Sequence, residues 1–413
     1  MRVKHLTLQN IGPFIEADLE FMANTDEKPS VVLITGENGT GKSIILDAIR
    51  GMFGDGFINK LERDIRRRGS ETKSNIQLTL NVGQHDLKFR VRSFEETSIM
   101  PTDSNSIREI PYKVQRGKFE SVPNWVVDYW PATLAEGASY KINSLQNPDH
   151  SKFLWNALQG RKEKANITQL ICHFDYLRDS RDPIEKETGE RLYEILEQIV
   201  AKSLLYGGKL SHVARATYEP IVVQNGQAVG LANLSSGNAY LIQNMVSLLG
   251  KMYSSHYLRK APLSDLCQTP GLLLIDEAEN QLHPKWQKRF IQSILDIFPN
   301  LQIIATTHSP FIIASVPHAR LFVCKSKIDH CVVVDETAEY SNKPIDEILM
   351  SPLFEETQPF NTEITQLIEE RKTAIERGDT TRREQIEARL KAINPEYFSY
   401  FDVDKLIEEV AGG

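Results

Sequence analysis

Residues 36–43 have the types and the spacing of a phosphate-binding loop. They read GENGTGKS and match the pattern GxxxxGK, followed by Ser or Thr, at every fixed position. In such a loop, glycines let successive backbone N–H groups point at phosphate oxygens, and the helix that follows offers its positive end. Lys42 can reach the β- and γ-phosphates, and the Ser43 hydroxyl can bind Mg²⁺. The candidate nucleotide-binding residues are Gly36, Glu37, Asn38, Gly39, Thr40, Gly41, Lys42 and Ser43.

Two adjacent carboxylates, Asp276 and Glu277, follow the apolar run LLLI at residues 272–275. Such a short apolar run predicts a strand that is buried on both faces of a sheet. At the end of this strand, Asp276 can enter the shell of a Mg²⁺ ion that accompanies a nucleotide. Glu277 can orient and deprotonate an attacking water molecule. We therefore predict Ser43 and Asp276 as metal ligands and Glu277 as the general base.

The segment TTHSP at residues 306–310 closes the next predicted strand, at residues 303–306. His308 stands at the carboxyl end of that strand, where ligands gather in parallel sheets. A lone histidine is more often structural, but this position suits contact with a γ-phosphate. The catalytic candidates are therefore Lys42, Glu277 and His308.

Residues 234–238 read LSSGN and precede a predicted helix. A serine at this place commonly caps a helix through its hydroxyl. The same helix start can also bind a second phosphate group, and the two roles are compatible. Ser235, Ser236 and Gly237 are therefore further candidates for nucleotide binding.

The elements predicted around these motifs alternate between strands and helices. An apolar strand at residues 31–34 precedes the phosphate loop, and a helix follows it. Alternating residues at 77–91 predict an antiparallel hairpin, and the Asn-Gly pair at 225–226 predicts a second one. Residues 254–270 are predicted to form a mobile loop. This order of elements is typical of an α/β protein with a parallel sheet.

Composition and charge restrict the classes of function. The chain has 413 residues, of which 41% are hydrophobic and 25% are charged, and this composition excludes general disorder. A net charge of −7 excludes nucleic-acid binding by bulk charge. A local basic patch at residues 60–73 is still a candidate contact for nucleotide or DNA phosphates. Dispersed cysteines and the lack of a long apolar run predict a cytoplasmic protein that does not cross a membrane.

These motifs, in this order, resemble the ABC-type ATPases of the SMC, RecF and OLD group, here without long coiled-coil arms. The opening LTLQNIGPF at residues 6–14 looks like the first strand and turn of that group. The stretch DEAENQLHP at residues 276–284 looks like its Walker B motif and D-loop. LSSGN at residues 234–238 resembles its LSGGQ signature. The resemblance implies an α/β fold, an ABC-type P-loop ATPase head with an antiparallel β-subdomain, a helical insertion and a C-terminal helical extension.

By this resemblance, the chain has four segments. Residues 1–92 form the first half of the head, with the Walker A loop and the β-subdomain, and residues 93–214 form a mostly helical insertion. Residues 215–340 form the second half of the head, with the signature, the Walker B motif, the D-loop and the histidine switch. Residues 341–413 form a helical extension that docks a partner.

The resemblance also implies an ATP site that two chains share, with ATP and Mg²⁺ as cofactors. One chain supplies Lys42, Ser43, Asp276, Glu277 and His308, and the other supplies Ser235, Ser236 and Gly237. The reaction is ATP + H₂O → ADP + phosphate, and the assembly is a dimer or a higher even-numbered oligomer. Members of the group usually have a glutamine that senses Mg²⁺, for which Gln115 and Gln146 are the candidates.

The tail carries a narrower resemblance. The residues PIDEIL at 344–349 and a charged helical pair at 362–393 look similar to the ATPase subunits of Septu systems and of retrons with a Septu-like module. In those anti-phage systems a separate HNH nuclease is the effector. The resemblance therefore implies an ATP-hydrolysing sensor or regulatory subunit that controls a partner nuclease.

Two other functions remain open at the level of sequence. A RecF-like DNA-repair ATPase clamps DNA directly, which predicts salt-sensitive duplex binding by this chain alone. The third function is the ATP-binding subunit of a transporter, or an inert scaffold. The DEAENQLHP stretch favours the SMC–RecF group over transporters, and the full set of hydrolysis residues disfavours a scaffold. An adjacent HNH nuclease gene would favour defence, whereas repair genes nearby would favour RecF.

Overall fold

The computed structural model describes residues 1–22, 31–53, 74–83, 85–92, 104–132, 142–159, 167–204, 207–354 and 360–401. The chain divides into two compact units, Met1–Ile345 and Asp346–Gly413. The predicted basic patch at 60–73 lies outside the described residues. In the described part of the chain, no helix has both the length and the apolar character needed to cross a membrane.

The first unit mixes strands and helices, whereas the described part of the second is helical. The strands are β1 (Arg2–Ile11), β2 (Phe14–Glu20), β3 (Val31–Gly36), β4 (Asn75–Val82), β5 (His85–Arg92), β6 (Val126–Trp130), β7 (Lys209–Ala214), β8 (Glu219–Gln224), β9 (Gln227–Gly230), β10 (Gly271–Ile275), β11 (Leu301–Thr306), β12 (Arg320–Ser326) and β13 (Cys331–Asp335). The α-helices are α1 (Lys42–Gly51), α2 (Ser104–Gln115), α3 (His150–Leu158), α4 (Ile167–Arg178), α5 (Pro183–Ser203), α6 (Ser236–Arg259), α7 (Pro284–Gln287), α8 (Phe290–Leu295), α9 (Pro310–Ile313), α10 (Thr337–Tyr340), α11 (Ile345–Leu349), α12 (Thr362–Glu376) and α13 (Thr380–Ile393).

A large sheet with the strand order β5-β4-β1-β2-β13-β12-β3-β11-β10-β6 is the framework of the first unit. Strands β6, β10, β11, β3 and β12 run parallel to one another. Every residue of β10 and β11 is buried, because apolar runs suit strands that are covered on both faces. The predicted parallel strands are confirmed. The strands that lead to the phosphate loop, to Asp276 and to His308 are near neighbours in this sheet, so their carboxyl ends meet at one edge.

Both predicted hairpins are confirmed. β4 pairs antiparallel with β5, and β8 pairs antiparallel with β9. In the second turn, Asn225 and Gly226 have φ angles of 52° and 75°. Positive φ at both central residues matches the type I′ turn that an Asn-Gly pair favours.

The prediction of a mobile loop at residues 254–270 is wrong. α6 covers the first part of this segment, and a 3₁₀ helix spans Leu263–Gln268. The His256 imidazole hydrogen-bonds the Pro262 carbonyl and the Thr269 hydroxyl, both at 2.9 Å, and so fixes the connection. α6 is buried around most of its circumference. It therefore lacks a polar face. Without the alternation of polar and apolar residues, the sequence does not show where the helix ends.

No pattern in the sequence predicts β6, which forms an edge of the large sheet beside β10. It lies in the segment 93–214, so the predicted insertion contributes a strand to the sheet of the head. β7, at the end of the same segment, pairs antiparallel with β8 in a smaller sheet. The boundary predicted after residue 214 therefore falls between two paired strands.

A buried ion pair joins β6 to α6. The Lys251 ammonium contacts the Asp128 carboxylate, and each side chain is 3% exposed.

Lys251→Ala leaves the buried carboxylate without its counter-charge, and we expect the free energy of unfolding to fall by about 3–5 kcal/mol. Urea denaturation measures the loss. Lys202→Ala, which removes a partly exposed pair with Asp296, is the control and should cost less than about 1 kcal/mol. Equal losses in the two variants would contradict the prediction.

The second unit has a small hydrophobic core of its own. It consists of Ile364, Leu367, Ile386, Leu390, Phe398 and Phe401. Gly378, at a φ of 70°, and Asp379, whose carboxylate accepts from the Arg382 backbone N–H, separate α12 from α13. The charged helical pair predicted at residues 362–393 is confirmed.

Candidate active site

The phosphate loop connects β3 to α1 and needs glycine at two of its positions. A Cβ at Gly36 would lie 2.2 Å from the Cys324 carbonyl oxygen, and a Cβ at Gly41 would lie 2.6 Å from Phe14 Cζ. The φ angles there are 135° and 96°, a region that favours glycine. The path of the loop therefore depends on these two residues.

Lys42 lies across the loop. Its ammonium donates to the carbonyl oxygens of Gly36 (2.8 Å) and Glu37 (2.7 Å), and the Thr40 hydroxyl donates to the same Glu37 oxygen (2.8 Å). Burial lowers the pKa of Lys42. The tip of the loop, Glu37, Asn38 and Gly39, is exposed. The loop is therefore accessible to a phosphate group from solvent, and the Lys42 ammonium already lies at the loop.

Ser43 and Asp276 are in contact although they are far apart in sequence. The Ser43 hydroxyl donates to Asp276 Oδ1 at 3.0 Å, and the Thr306 hydroxyl donates to the same oxygen at 2.6 Å. Hydroxyl and carboxylate oxygens suit Mg²⁺, which at nucleotide sites uses few protein ligands beside phosphates and water. The pair therefore fits the predicted ion. Among the described residues, no cluster of three or more His, Cys, Asp or Glu could hold a metal by itself.

Glu277 turns the chain directly after β10 and is exposed. Its φ is 48°, which is uncommon for a residue other than glycine and recurs at functional sites. The Glu277 backbone N–H donates to the Thr306 hydroxyl at 2.8 Å and fixes this turn. Among the described residues, the hydrogen bond to its carboxylate comes from Asn280 Nδ2, at 3.5 Å. The carboxylate is thus accessible to a water molecule.

His308 follows β11 and has its main chain fixed while its ring is free. The His308 backbone N–H donates to Glu279 Oε1 at 2.8 Å. Within the described part of the chain, no group hydrogen-bonds the imidazole. Burial lowers the pKa of His308, and the positive charge of Lys42 lowers it further. The ring is therefore neutral near pH 7.

The LSSGN segment forms the exposed start of α6. Ser235 is the N-cap residue, but its hydroxyl makes no capping hydrogen bond. Ser235 and Ser236 are exposed, and Gly237 is buried. A Cβ at Gly237 would lie 2.5 Å from the Gln281 carbonyl oxygen, so this helix start packs on the segment that follows Glu277. Among the described residues, no hydrogen bond joins these three residues to the phosphate loop of their own chain.

Comparison with known proteins assigns a family. Residues 31–314 match the family model described as "AAA domain, putative AbiEii toxin, Type IV TA system". The chain belongs to this AAA family. The "Retron Vc95 probable ATPase" of Vibrio cholerae serotype O1 biovar El Tor is 26% identical over 90% of this chain and 84% of its own length. The "Septu protein PtuA" of Bacillus thuringiensis is 24% identical over 75% of this chain and 72% of its own length. The predicted resemblance to Septu and retron ATPases is confirmed.

Solved structures show the fold of this AAA domain. The Smc head bound to the C-winged helix domain of ScpA matches with a TM-score of 0.50 and 15% identity. The match covers 81% of this chain and 98% of that structure. The predicted α/β class, a P-loop ATPase head like that of SMC proteins, is confirmed.

Residues outside the sequence motifs lie around Asp276. β6 lies beside this carboxylate: the Asp276 backbone N–H donates to the Trp130 carbonyl oxygen at 2.9 Å, and Tyr129 precedes Trp130 on the strand. The Arg50 guanidinium lies 3.4 Å from the centre of the Tyr129 ring and pairs with Asp47 at 2.7 Å. Burial raises the pKa of Tyr129, and the charge of Asp276 raises it further. The phenol therefore keeps its proton.

Neither candidate glutamine is linked to this site. Gln115 is the last residue of α2, and the Gln146 carbonyl accepts from the Gln169 side chain at 2.9 Å. In the described part of the chain, no hydrogen bond joins either of them to Ser43 or Asp276. Residues 126–141, which include β6 and the chain just after it, contain no glutamine. On the β6 side of β10, the described contact of Asp276 is the bond from its backbone N–H to the Trp130 carbonyl oxygen.

Proposed function

We propose that this AAA domain binds ATP together with Mg²⁺ and hydrolyses it to ADP and phosphate. The hydrogen bond between Ser43 and Asp276 carries the proposal, because it joins the phosphate loop to the end of β10. The ammonium of Lys42, the residue before Ser43, donates to two carbonyl oxygens of the loop. The matched AAA family and a relative named as an ATPase support the same activity.

Each predicted residue has a task in the proposed reaction. Backbone N–H groups of residues 36–43 and the Lys42 ammonium bind the phosphates. Mg²⁺, when bound, withdraws charge from the β- and γ-phosphates, and Ser43 and Asp276 are its proposed ligands. Glu277 takes a proton from water while the water oxygen bonds to the γ-phosphorus and the bond to the ADP oxygen breaks. The neutral ring of His308 donates a hydrogen bond to a γ-phosphate oxygen.

The second half of each ATP site is proposed to come from another copy of the chain. The start of α6 offers the exposed hydroxyls of Ser235 and Ser236, and the Ser235 hydroxyl is not used in capping. A long helix with its N-terminus exposed attracts phosphate oxygens. ATP would then lie in the interface of a dimer or of a higher even-numbered assembly.

The chain is further proposed to be the regulatory ATPase of a bacterial anti-phage complex in the cytoplasm. Its relatives carry the names of a retron ATPase and a Septu protein, which supports this role. The partner is then a separate nuclease, HNH-type by the sequence resemblance, docked on residues 341–413. Co-purification with the product of a neighbouring nuclease gene tests the role. Salt-sensitive binding of duplex DNA by this chain alone would favour the RecF-like function instead.

Lys42→Ala is expected to weaken ATP binding by about 100-fold, because it removes charge-assisted hydrogen bonds to two phosphates. Fluorescence anisotropy with a labelled ATP analogue and Mg²⁺ measures the affinity. Lys343→Ala, which removes a partly exposed lysine paired with Glu339, is the matched control and should bind like the wild type. Wild-type affinity in Lys42→Ala would contradict the assignment of the loop.

A further inference from the structure

The Glu279 carboxylate bridges two parts of the site that belong to different strands. Its Oε2 accepts from the Thr307 hydroxyl at 2.7 Å, and its Oε1 accepts from the His308 backbone N–H at 2.8 Å. Glu279 lies in the segment that follows β10, whereas the two donors follow β11. One side chain therefore ties the turn that carries His308 to the segment that carries Asp276 and Glu277.

Among the described contacts, Glu279 is the one side chain that hydrogen-bonds the main chain of His308. Thr306 is held separately by Asp276 and by the Glu277 backbone N–H. Ser309 donates from its hydroxyl to Gln287 Oε1 at 2.5 Å. Thr306 and Ser309 thus have other partners, whereas Thr307 and His308 both donate to Glu279.

The chemistry of the group explains why a carboxylate stands here. Two donors point at one side chain, and a carboxylate can accept from both at once with charge-assisted hydrogen bonds. Glu279 is only partly buried, so a carboxylate here does not bear the full cost of burial. Its negative charge also acts on Lys42 and on the His308 ring, the two groups that are proposed to contact the γ-phosphate.

We propose that Glu279 is a positioning residue for the hydrolysis of ATP, and that it acts by holding the main chain of His308 so that the free ring meets the γ-phosphate. This inference rests on the proposed ATPase function. In this role Glu279 takes no proton and touches no substrate. It determines where His308 lies, so its loss should affect turnover and leave ATP binding nearly intact.

Three variants and a double variant test this role in the full-length protein. We expect Glu279→Ala to reduce turnover by about tenfold or more, since the part-buried His308 N–H loses its acceptor, and to change ATP affinity by less than about threefold. Glu279→Gln should recover most of the activity, because its amide oxygen accepts from His308 and its NH₂ can donate to Thr307. His308→Ala and the double variant Glu279→Ala/His308→Ala should be equally slow, because the two residues act as one unit. Glu339→Ala, which removes an exposed carboxylate, is the control.

Hydrogen exchange supplies a readout that does not need hydrolysis. The amide of His308 should exchange about tenfold faster in Glu279→Ala than in the wild type and in Glu279→Gln, because only the alanine variant removes its acceptor. A wild type without ATPase activity would refute the proposed function, whereas this exchange experiment would still decide whether Glu279 holds the turn. Unchanged exchange in Glu279→Ala would overturn the inference. So would a double variant much slower than His308→Ala, or a Glu279→Gln variant as slow as Glu279→Ala, since either result would give Glu279 a task of its own.

Discussion

Replacing Glu277 by Gln is expected to reduce ATP turnover by about 100-fold or more while ATP binding persists, because general-base catalysis contributes at least that factor. The amide keeps the size of the side chain but cannot take a proton from water. The backbone N–H of residue 277 still donates to the Thr306 hydroxyl, so the turn after β10 keeps its shape. Phosphate release at saturating ATP measures turnover, and anisotropy of a labelled analogue measures binding.

Glu194→Gln is the matched control for this experiment. Glu194 is an exposed residue on α5 that pairs with Arg191 at 3.2 Å, and its replacement should leave turnover unchanged. Since Glu277→Gln retains ATP, it should also accumulate the proposed ATP-bridged assembly, which light scattering detects as a larger mass than that of the wild type. Unchanged turnover in Glu277→Gln would show that another group takes the proton.

The parts of the site that the sequence predicts are those with local causes. The loop at residues 36–43 has fixed glycine positions because a Cβ at Gly36 or Gly41 would collide with neighbouring atoms. The apolar run before Asp276 predicts a buried strand, and β10 is buried along its whole length. The parallel sheet then brings the end of this strand to the phosphate loop, as the contact between Ser43 and Asp276 shows. Local sequence was therefore sufficient to identify which residues meet.

The parts that the sequence does not predict depend on contacts between distant residues. Tyr129 and Trp130 lie near Asp276 because β6 pairs with β10, and no periodic pattern marks so short a strand. Glu279 meets His308 across 29 positions of the chain, and Lys251 meets Asp128 across 123. The types of these side chains are visible in the sequence, but their partners are set by packing. The sequence patterns consequently did not point to these supporting residues.

A mixture of Lys42→Ala and Ser235→Arg is expected to hydrolyse ATP although neither variant does so alone. In an assembly of Lys42→Ala chains, every site has a defective phosphate loop. In an assembly of Ser235→Arg chains, every site has a defective helix start. A mixed dimer has one site with both defects and one site with neither, so hydrolysis can return at the second site.

Arginine at position 235 is chosen because the change should disturb the neighbouring chain rather than the fold. Ser235 is exposed, and its hydroxyl makes no capping hydrogen bond, so the loss of stability should be no more than about 1 kcal/mol. A long cationic side chain would fill the space into which the phosphates of a second chain must fit. Ser264→Arg, at another exposed serine, is the control and should keep full activity.

The size of the recovery is set by how the chains combine. If subunits exchange freely at equal concentrations and the sites act independently, about half of the dimers are mixed and about a quarter of all sites are intact, so activity per chain should approach that share of the wild-type value. The mixture could also lack activity although tagged and untagged chains co-purify in the presence of ATP. That result would mean that hydrolysis requires both sites of a dimer to be intact. Full activity of Ser235→Arg by itself, in a fraction that sediments as a monomer, would refute action across an interface. Recovery, by contrast, has no explanation within a single chain, because each variant chain lacks one of the two halves that a working site requires.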